Sequence, residues 1–239
     1  MKITSSYGVE LRKQNIPIRQ TLDVYRSAVS YLVEIYAQVW EELEGILEAK
    51  KRFNEAEHLI HTTKKNQARF DFDIRFPKMP SYLRRAAIQH ALGSVFSYKT
   101  RLGLWEKTGQ RESKPKLVYE NHAMPVFYRD VMYREDKEGK DAAYLKLYDG
   151  HDWKWFHVRL RHTDMEYLRK NWSGKKKQKL HLWRKRDIQK RCEHQVHRNG
   201  IRISRICAWN TSRLAYDGTG TVARDPGNHS LCVFQTGKR

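Results

Sequence analysis

The sequence predicts an α+β fold, a small helical bundle followed by a small antiparallel β-barrel or sheet. Three observations carry this. Apolar residues recur at three- and four-residue steps from Leu22 to about Trp105. From Leu117 onward the period drops to two, with Val, Tyr, Phe and Trp at the alternating positions. Between the two regimes lies the polar run TGQRESKPK, Thr108–Lys116, which reads as the first domain boundary.

Residues 1–18 read as a strand over Lys2–Glu10 and a turn at Pro17. A long helix follows, with Leu22, Tyr25, Val29, Leu32, Tyr36, Val39, Leu43 and Ile46 in one stripe. Tyrosine at two stripe positions favours a helix packed in its own core over a dimerising coiled coil. A second helix is expected over Lys51–Asn66, with Phe53, Ala56, Leu59 and Ile60 inward and Lys64 and Lys65 near its C-terminus, where the dipole favours cations. Residues 67–79 form an aromatic, charged connection.

The third helix is the most informative stretch. Over Lys78–Trp105, Pro80 and Ser81 mark the start, with Ser81 as the expected cap. Leu83, Ala87, Ala91 and Ser94/Val95 make one apolar run, and Ile88, Leu92 and Phe96 a second. Arg84 and Arg85 fall at the end where the helix dipole disfavours cations, which points to an anionic partner. Residues 19–107 thus read as a helical bundle.

Beyond the boundary, Leu117–Tyr119, Val126–Tyr133, Ala142–Tyr148 and Trp153–Leu160 read as strands. Arg134–Asp141 is expected to be a charged hairpin tip, and Asp149-Gly150 a second turn, extended by His151 and Asp152. Thr163-Asp164-Met165-Glu166 is a capping box opening a short helix to about Trp172. A basic linker precedes Lys179. From there to Arg239 the apolar residues fit neither period, basic residues outnumber acidic ones, and a poorly ordered tail is expected.

Composition narrows the function. Of 239 residues, 47 are Lys or Arg and 27 are Asp or Glu, a net charge of +20, with 12% aromatic residues. Charge for phosphates and flat rings for bases suit a folded protein that binds RNA or DNA. No apolar run is long enough to span a bilayer, no secretory signal is visible, and no helix has the amphipathic form of a membrane-surface binder. Cys192, Cys207 and Cys232 lack the spacing of a disulfide framework or a Cys-rich zinc site, and a cytoplasmic location is expected.

Motifs for phosphate loops, nucleophile elbows and zinc proteases are absent. His58/His61 and the Cys192–His197 run have metal-ligand types without a completing set, and Asp71/Asp73 sit beside Arg69 and Arg75 as charge balance. The candidate nucleic-acid contacts are therefore interleaved cations and rings: Lys64, Lys65, Arg69, Tyr82, Arg84, Arg85, Lys99, Arg101, Tyr128 and Arg129. Tyr98, Trp153, Lys154 and Trp155 belong to the same pattern.

The order of these segments resembles the N-terminal part of the TnpB/OrfB family, accessory proteins of insertion sequences that act as RNA-guided DNA nucleases. The likeness covers about residues 1–178. It rests on MKITSSYGVEL, TLDVYRSAVSYLVEIYAQVW, LIHTTKKNQARFDFD, KMPSYLRRAAIQHALGSVFSYKTRL, HAMPVFYRDVMY, AYLKLYDGHDWKWFHVRLR and TDMEYLRKNW. It implies a helical recognition domain, 19–107, inserted into a wedge-like β-barrel built from 1–18 and 108–178. The wedge would contact guide RNA and the target-adjacent motif, and the helices would hold the guide–target duplex. After about residue 179 the chain departs from the family, as though truncated or frameshifted. Where the family has the RuvC strand I-C-A-V-D-L-G, this chain has Ile206-Cys207-Ala208-Trp209-Asn210-Thr211-Ser212, with Asn210 in place of the first metal-binding aspartate. The divalent metal of the nuclease and the zinc of its ribbon would thus have no site in this chain. The expectation is a transposon-encoded protein that binds guide RNA or DNA without cleaving it. The alternatives are an N-terminal subunit completed by a separate RuvC-containing chain, or a decayed product without function.

Overall fold

The computed structural model describes residues 2–11, 16–109, 113–117, 122–127, 130–136, 141–171, 177–184 and 229–238. Internal contacts divide the chain into two units, Thr21–His122 and the pair of segments Met1–Gln20 with Ala123–Arg239.

The helical unit is built on the predicted stripe. Helix α1 spans Ile18–Gln38 and α2 spans Trp40–Glu44. Leu22, Tyr25, Val29, Leu32, Tyr36, Val39 and Leu43 are all buried. Burying each contributes on the order of 1.5–3 kcal/mol. The expected single helix is bent at Val39, whose φ of −99° and ψ of 18° leave helical geometry. Hydrogen bonds from Val39 N to the Ile35 carbonyl (3.1 Å) and from Leu43 N to the Val39 carbonyl (3.3 Å) carry the ladder across the bend. The apolar face therefore stays continuous while the axis changes. Tyr36 donates its buried hydroxyl to the Ala56 carbonyl at 3.0 Å and so ties α1 to the next helix, α3, Ala49–His58.

A short α4, Phe72–Arg75, precedes α5, Ser81–Lys107. Pro80, not Ser81, is the residue that caps α5, without a side-chain cap bond. Its extended backbone turns the chain into the helix, and its carbonyl accepts from Leu83 N and Arg84 N at 2.9 Å each. Leu83, Ala87, Ile88, Ala91 and Val95 are buried, while Phe96 is more than half exposed, so only the first predicted run is core throughout.

The expected β-barrel is not formed. Strands β1 (Lys2–Glu10), β2 (Met124–Val126), β6 (Lys177–Arg184) and β7 (His229–Lys238) make an open sheet in the order β1-β7-β6-β2. Strands β3 (Tyr133–Glu135), β4 (Ala142–Tyr148) and β5 (Trp153–Arg159) make a second open sheet. Closure would need one sheet edge to pair with the other. The strand expected over Val126–Tyr133 is broken instead. Asp130 turns the chain at φ 63°, and Met132 N and Tyr133 N both donate to the Phe127 carbonyl. That turn leaves β2 in one sheet and β3 in the other. Nor is the C-terminal stretch wholly irregular, since β6 begins inside the supposed linker and pairs with β7 from Lys177↔Thr236 to Arg184↔His229.

In the second sheet the predicted alternation holds along β4 from Ala143, whereas β5 buries Trp153 and Val158, which lie on opposite faces. Ala143, Leu145, Leu147 and Val158 are buried on one face. At the β4–β5 turn Gly150 takes φ 102°, and Asp149 Oδ1 accepts from His151 N (2.8 Å) and Asp152 N (2.7 Å). Helix α6, His162–Asn171, buries Met165 and Leu168. It begins one residue before the expected capping threonine, and its buried acid, Asp164, accepts from Arg161 Nε at 2.9 Å. Among the described residues no helix is long and apolar enough to cross a membrane.

Candidate nucleic-acid interface

Helix α3 stops at His58, short of the predicted Asn66. The stop is made by Asn66 itself, whose Nδ2 donates back to the carbonyls of His58 (2.7 Å) and His61 (2.9 Å). Asn66 and Thr63 also exchange two backbone hydrogen bonds, at 2.7 and 3.3 Å. Lys64 and Lys65 are thus the two tip residues of a tight turn, both exposed, and not part of a helix end. The helix dipole does not account for them.

The turn is held from outside as well. Asp73 Oδ2 accepts from Thr62 N at 3.0 Å and lies 2.8 Å from His61 Nδ1. Ala68 N donates to Thr62 Oγ1 at 3.2 Å, and the Leu59 carbonyl accepts from Arg69 N and Phe70 N. The result is an open cleft of about 720 Å³ lined by residues 62–71, Asp73 and Ile74. Its lining carries acid as well as base. Asp71 accepts from the Tyr31 hydroxyl and, at 3.2 Å, from Arg75 Nε, and these bonds hold its carboxyl below the usual carboxylate range. Burial and the bond to Asp71 push the Tyr31 phenol up to about 12. Arg75 also lies over the Tyr31 ring, 4.5 Å from its centroid.

The predicted contact residues separate into two kinds. Arg69 donates to both oxygens of Glu42 at 3.1 Å. Arg84, with its side chain only 12% exposed, lies 3.4 Å from Glu57 Oε1 and 4.0 Å from Asp73 Oδ1. Arg85 lies 3.7 Å from Glu57 Oε2 and over the Phe53 ring. These three arginines are already balanced by carboxylates, and Glu57 supplies the anionic partner that the position of Arg84 and Arg85 called for. Sequence reading missed Glu57 and Glu42, since Glu57 lies 27 residues from Arg84 and Glu42 lies 27 residues from Arg69. Lys64 and Lys65 have no carboxylate partner among the described residues. Lys99 is half-buried on α5. Arg101 donates to the backbone carbonyls of Ser97 (3.2 Å) and Lys116 (3.5 Å), which leaves its charge uncompensated by those contacts. Tyr82 is half-buried, and burial pushes its phenol up. Tyr128 and Arg129 lie outside the described residues, as does the Cys192–His197 run. The His58/His61 pair does not converge: His58 lies 3.7 Å from Glu55 and His61 binds Asp73. Among the described residues no group of three or more His, Cys, Asp or Glu side chains could hold a metal ion.

A sequence profile described as the Aq_aa04 family matches residues 5–149. No curated protein matches the chain.

Proposed function

We propose that this chain, which belongs to the Aq_aa04 family, binds nucleic acid and takes hold of phosphates through the Lys64–Lys65 turn. One observation carries the reading. Two adjacent, exposed lysines at the tip of a doubly bonded turn line an open cleft without a carboxylate partner among the described residues, while the arginines around them are paired with carboxylates. A frame braced by Asn66 and Asp73 fixes the backbone that carries the two lysines before an anion arrives, which lowers the ordering cost of binding. The net charge of +20 supports a polyanionic partner.

The finer form of the proposal is a TnpB-type protein of a mobile element that binds guide RNA or DNA without cutting it. The segments quoted above support that form. Anisotropy titrations of the full chain with a labelled 20-nucleotide RNA and a 20-base-pair DNA, at several salt concentrations, test the reading. Affinity should fall steeply with salt, and Lys64→Glu with Lys65→Glu should weaken it. Absence of binding at low salt refutes the function, and cleavage on adding Mg²⁺ refutes the claim that it binds only.

A further inference from the structure

We infer that the patch of Arg134, Tyr144, Lys146 and Trp155 on the β3–β4–β5 sheet is a stacking platform for single-stranded nucleic acid. The inference deepens the proposed binding activity but stands on different residues from the Lys64–Lys65 turn. Strand register sets Arg134 opposite Tyr144, Tyr144 opposite His157, and Lys146 opposite Trp155. Side chains alternate across a sheet, so these five share the face opposite to the buried Ala143, Leu145, Leu147 and Val158. Arg134 is exposed and Tyr144, Lys146 and Trp155 are half-exposed.

The feature that points to a ligand is how Arg134 is held. Its guanidinium carbon lies over two rings at once, 4.8 Å from the Tyr144 centroid and 4.6 Å from the Trp155 centroid. The arginines at 69, 75, 84, 85, 161 and 169 all meet carboxylates. Neither Arg134 nor Lys146 has one among the described residues. Among the described residues Asp136 lies on the same side of β3 as Arg134 and is 3.5 Å from His157. A guanidinium held over ring faces is attracted to them without being neutralised. It keeps N–H edges for a phosphate and a flat outer surface for a base. Lys146 supplies a second charge for the next phosphate, and the exposed parts of Tyr144 and Trp155 extend the flat surface. A duplex has its bases stacked internally and can use the charges but not the rings, so the match is to an unpaired strand.

Anisotropy titrations of the full chain with a labelled 20-nucleotide poly(U) strand and a 20-base-pair duplex test this, comparing wild type with Arg134→Lys, Trp155→Ala and the Lys64→Glu/Lys65→Glu pair. Arg134→Lys keeps charge at an exposed site and loses the planar stack. It and Trp155→Ala should each weaken single-strand binding about tenfold and duplex binding less than twofold. Unchanged single-strand affinity in a folded Arg134→Lys protein overturns the platform while leaving the binding reading intact. Equal losses for strand and duplex also overturn it, since stacking is then not what is lost. A wild type that binds neither probe overturns the platform and the proposed function together. If Trp155→Ala fails to fold, Arg134→Lys decides alone.

Discussion

Arg84 and Glu57 form an ion pair at 3.4 Å between side chains only 12% and 19% exposed. Removing the acid leaves a largely buried guanidinium with only the more distant Asp73, at 4.0 Å, to balance it. Glu57→Ala should therefore destabilise the helical unit by about 3 kcal/mol, lowering Tm by roughly 10 °C or more. Arg85, more than half exposed, shares the same acid at 3.7 Å. Arg85→Ala should cost less than about 1 kcal/mol. Thermal melts of the two variants check the ordering, and equal losses contradict it.

Lys64→Glu with Lys65→Glu should lower nucleic-acid affinity by at least about tenfold and reduce the slope of log affinity against log salt by about two. The tip side chains make no bracing contact, because Thr63, Asn66 and Asp73 hold the turn. Tm should therefore stay within a degree or two. A large fall in Tm would show that the lysines are structural.

Asp71 gives a pH signature. The Tyr31 hydroxyl and Arg75 hold its folded-state carboxyl below the ordinary 3.8. The linked stability is fully present above the unfolded value and is lost as pH falls through the folded one. In Tyr31→Phe the carboxyl should rise toward 3.8. Carbon-detected NMR titration of the Asp71 side chain checks this, with an unmoved midpoint counting against the bond.

Gly150 adopts φ 102° with open space where a Cβ would stand. Alanine there strains the backbone without clashing, and should cost about 1–2 kcal/mol. Asp149→Ala removes the acceptor for His151 N and Asp152 N and the 2.6 Å contact to Lys154. Both changes should speed amide exchange in β4 and β5 before elsewhere, and uniform acceleration would show that the turn is not local.

Tyr36→Phe removes the donor to the buried Ala56 carbonyl at 3.0 Å and leaves that carbonyl unsatisfied. A loss of about 1 kcal/mol in urea unfolding is expected. No loss would mean that the bond adds nothing net.

Much of the helical unit was legible because its signal is periodic and local. The stripe from Leu22 to Leu43 and the Leu83–Val95 face can be read from spacing alone. The bend at Val39 was not, since the apolar pattern runs through it unbroken. Lys64 and Lys65 looked helical because nothing in the pattern announces that Asn66 will reach back to two carbonyls. The β4–β5 hairpin was legible from Asp149-Gly150. The barrel was misread because strand pairing is long-range: alternation locates β4 and β5 but not where a sheet ends, and the Asp130 turn inside an apolar run divides what reads as one strand. Among the candidate cations, spacing did not separate the exposed Lys64 and Lys65 from the largely buried Arg84. It could not tell balanced from unbalanced charge, because Glu42 and Glu57 arrive from other helices.

The pairing of β1 with β7, from Lys2↔Lys238 to Glu10↔Ser230, has a consequence for biogenesis. On the ribosome the helical unit is contiguous and can condense as soon as it emerges. The first strand must wait, its backbone donors and acceptors unmet, until more than two hundred residues later its partner leaves the exit tunnel. During that interval the waiting strand is an adhesive edge, and shielding it falls to chaperones or to the speed of translation.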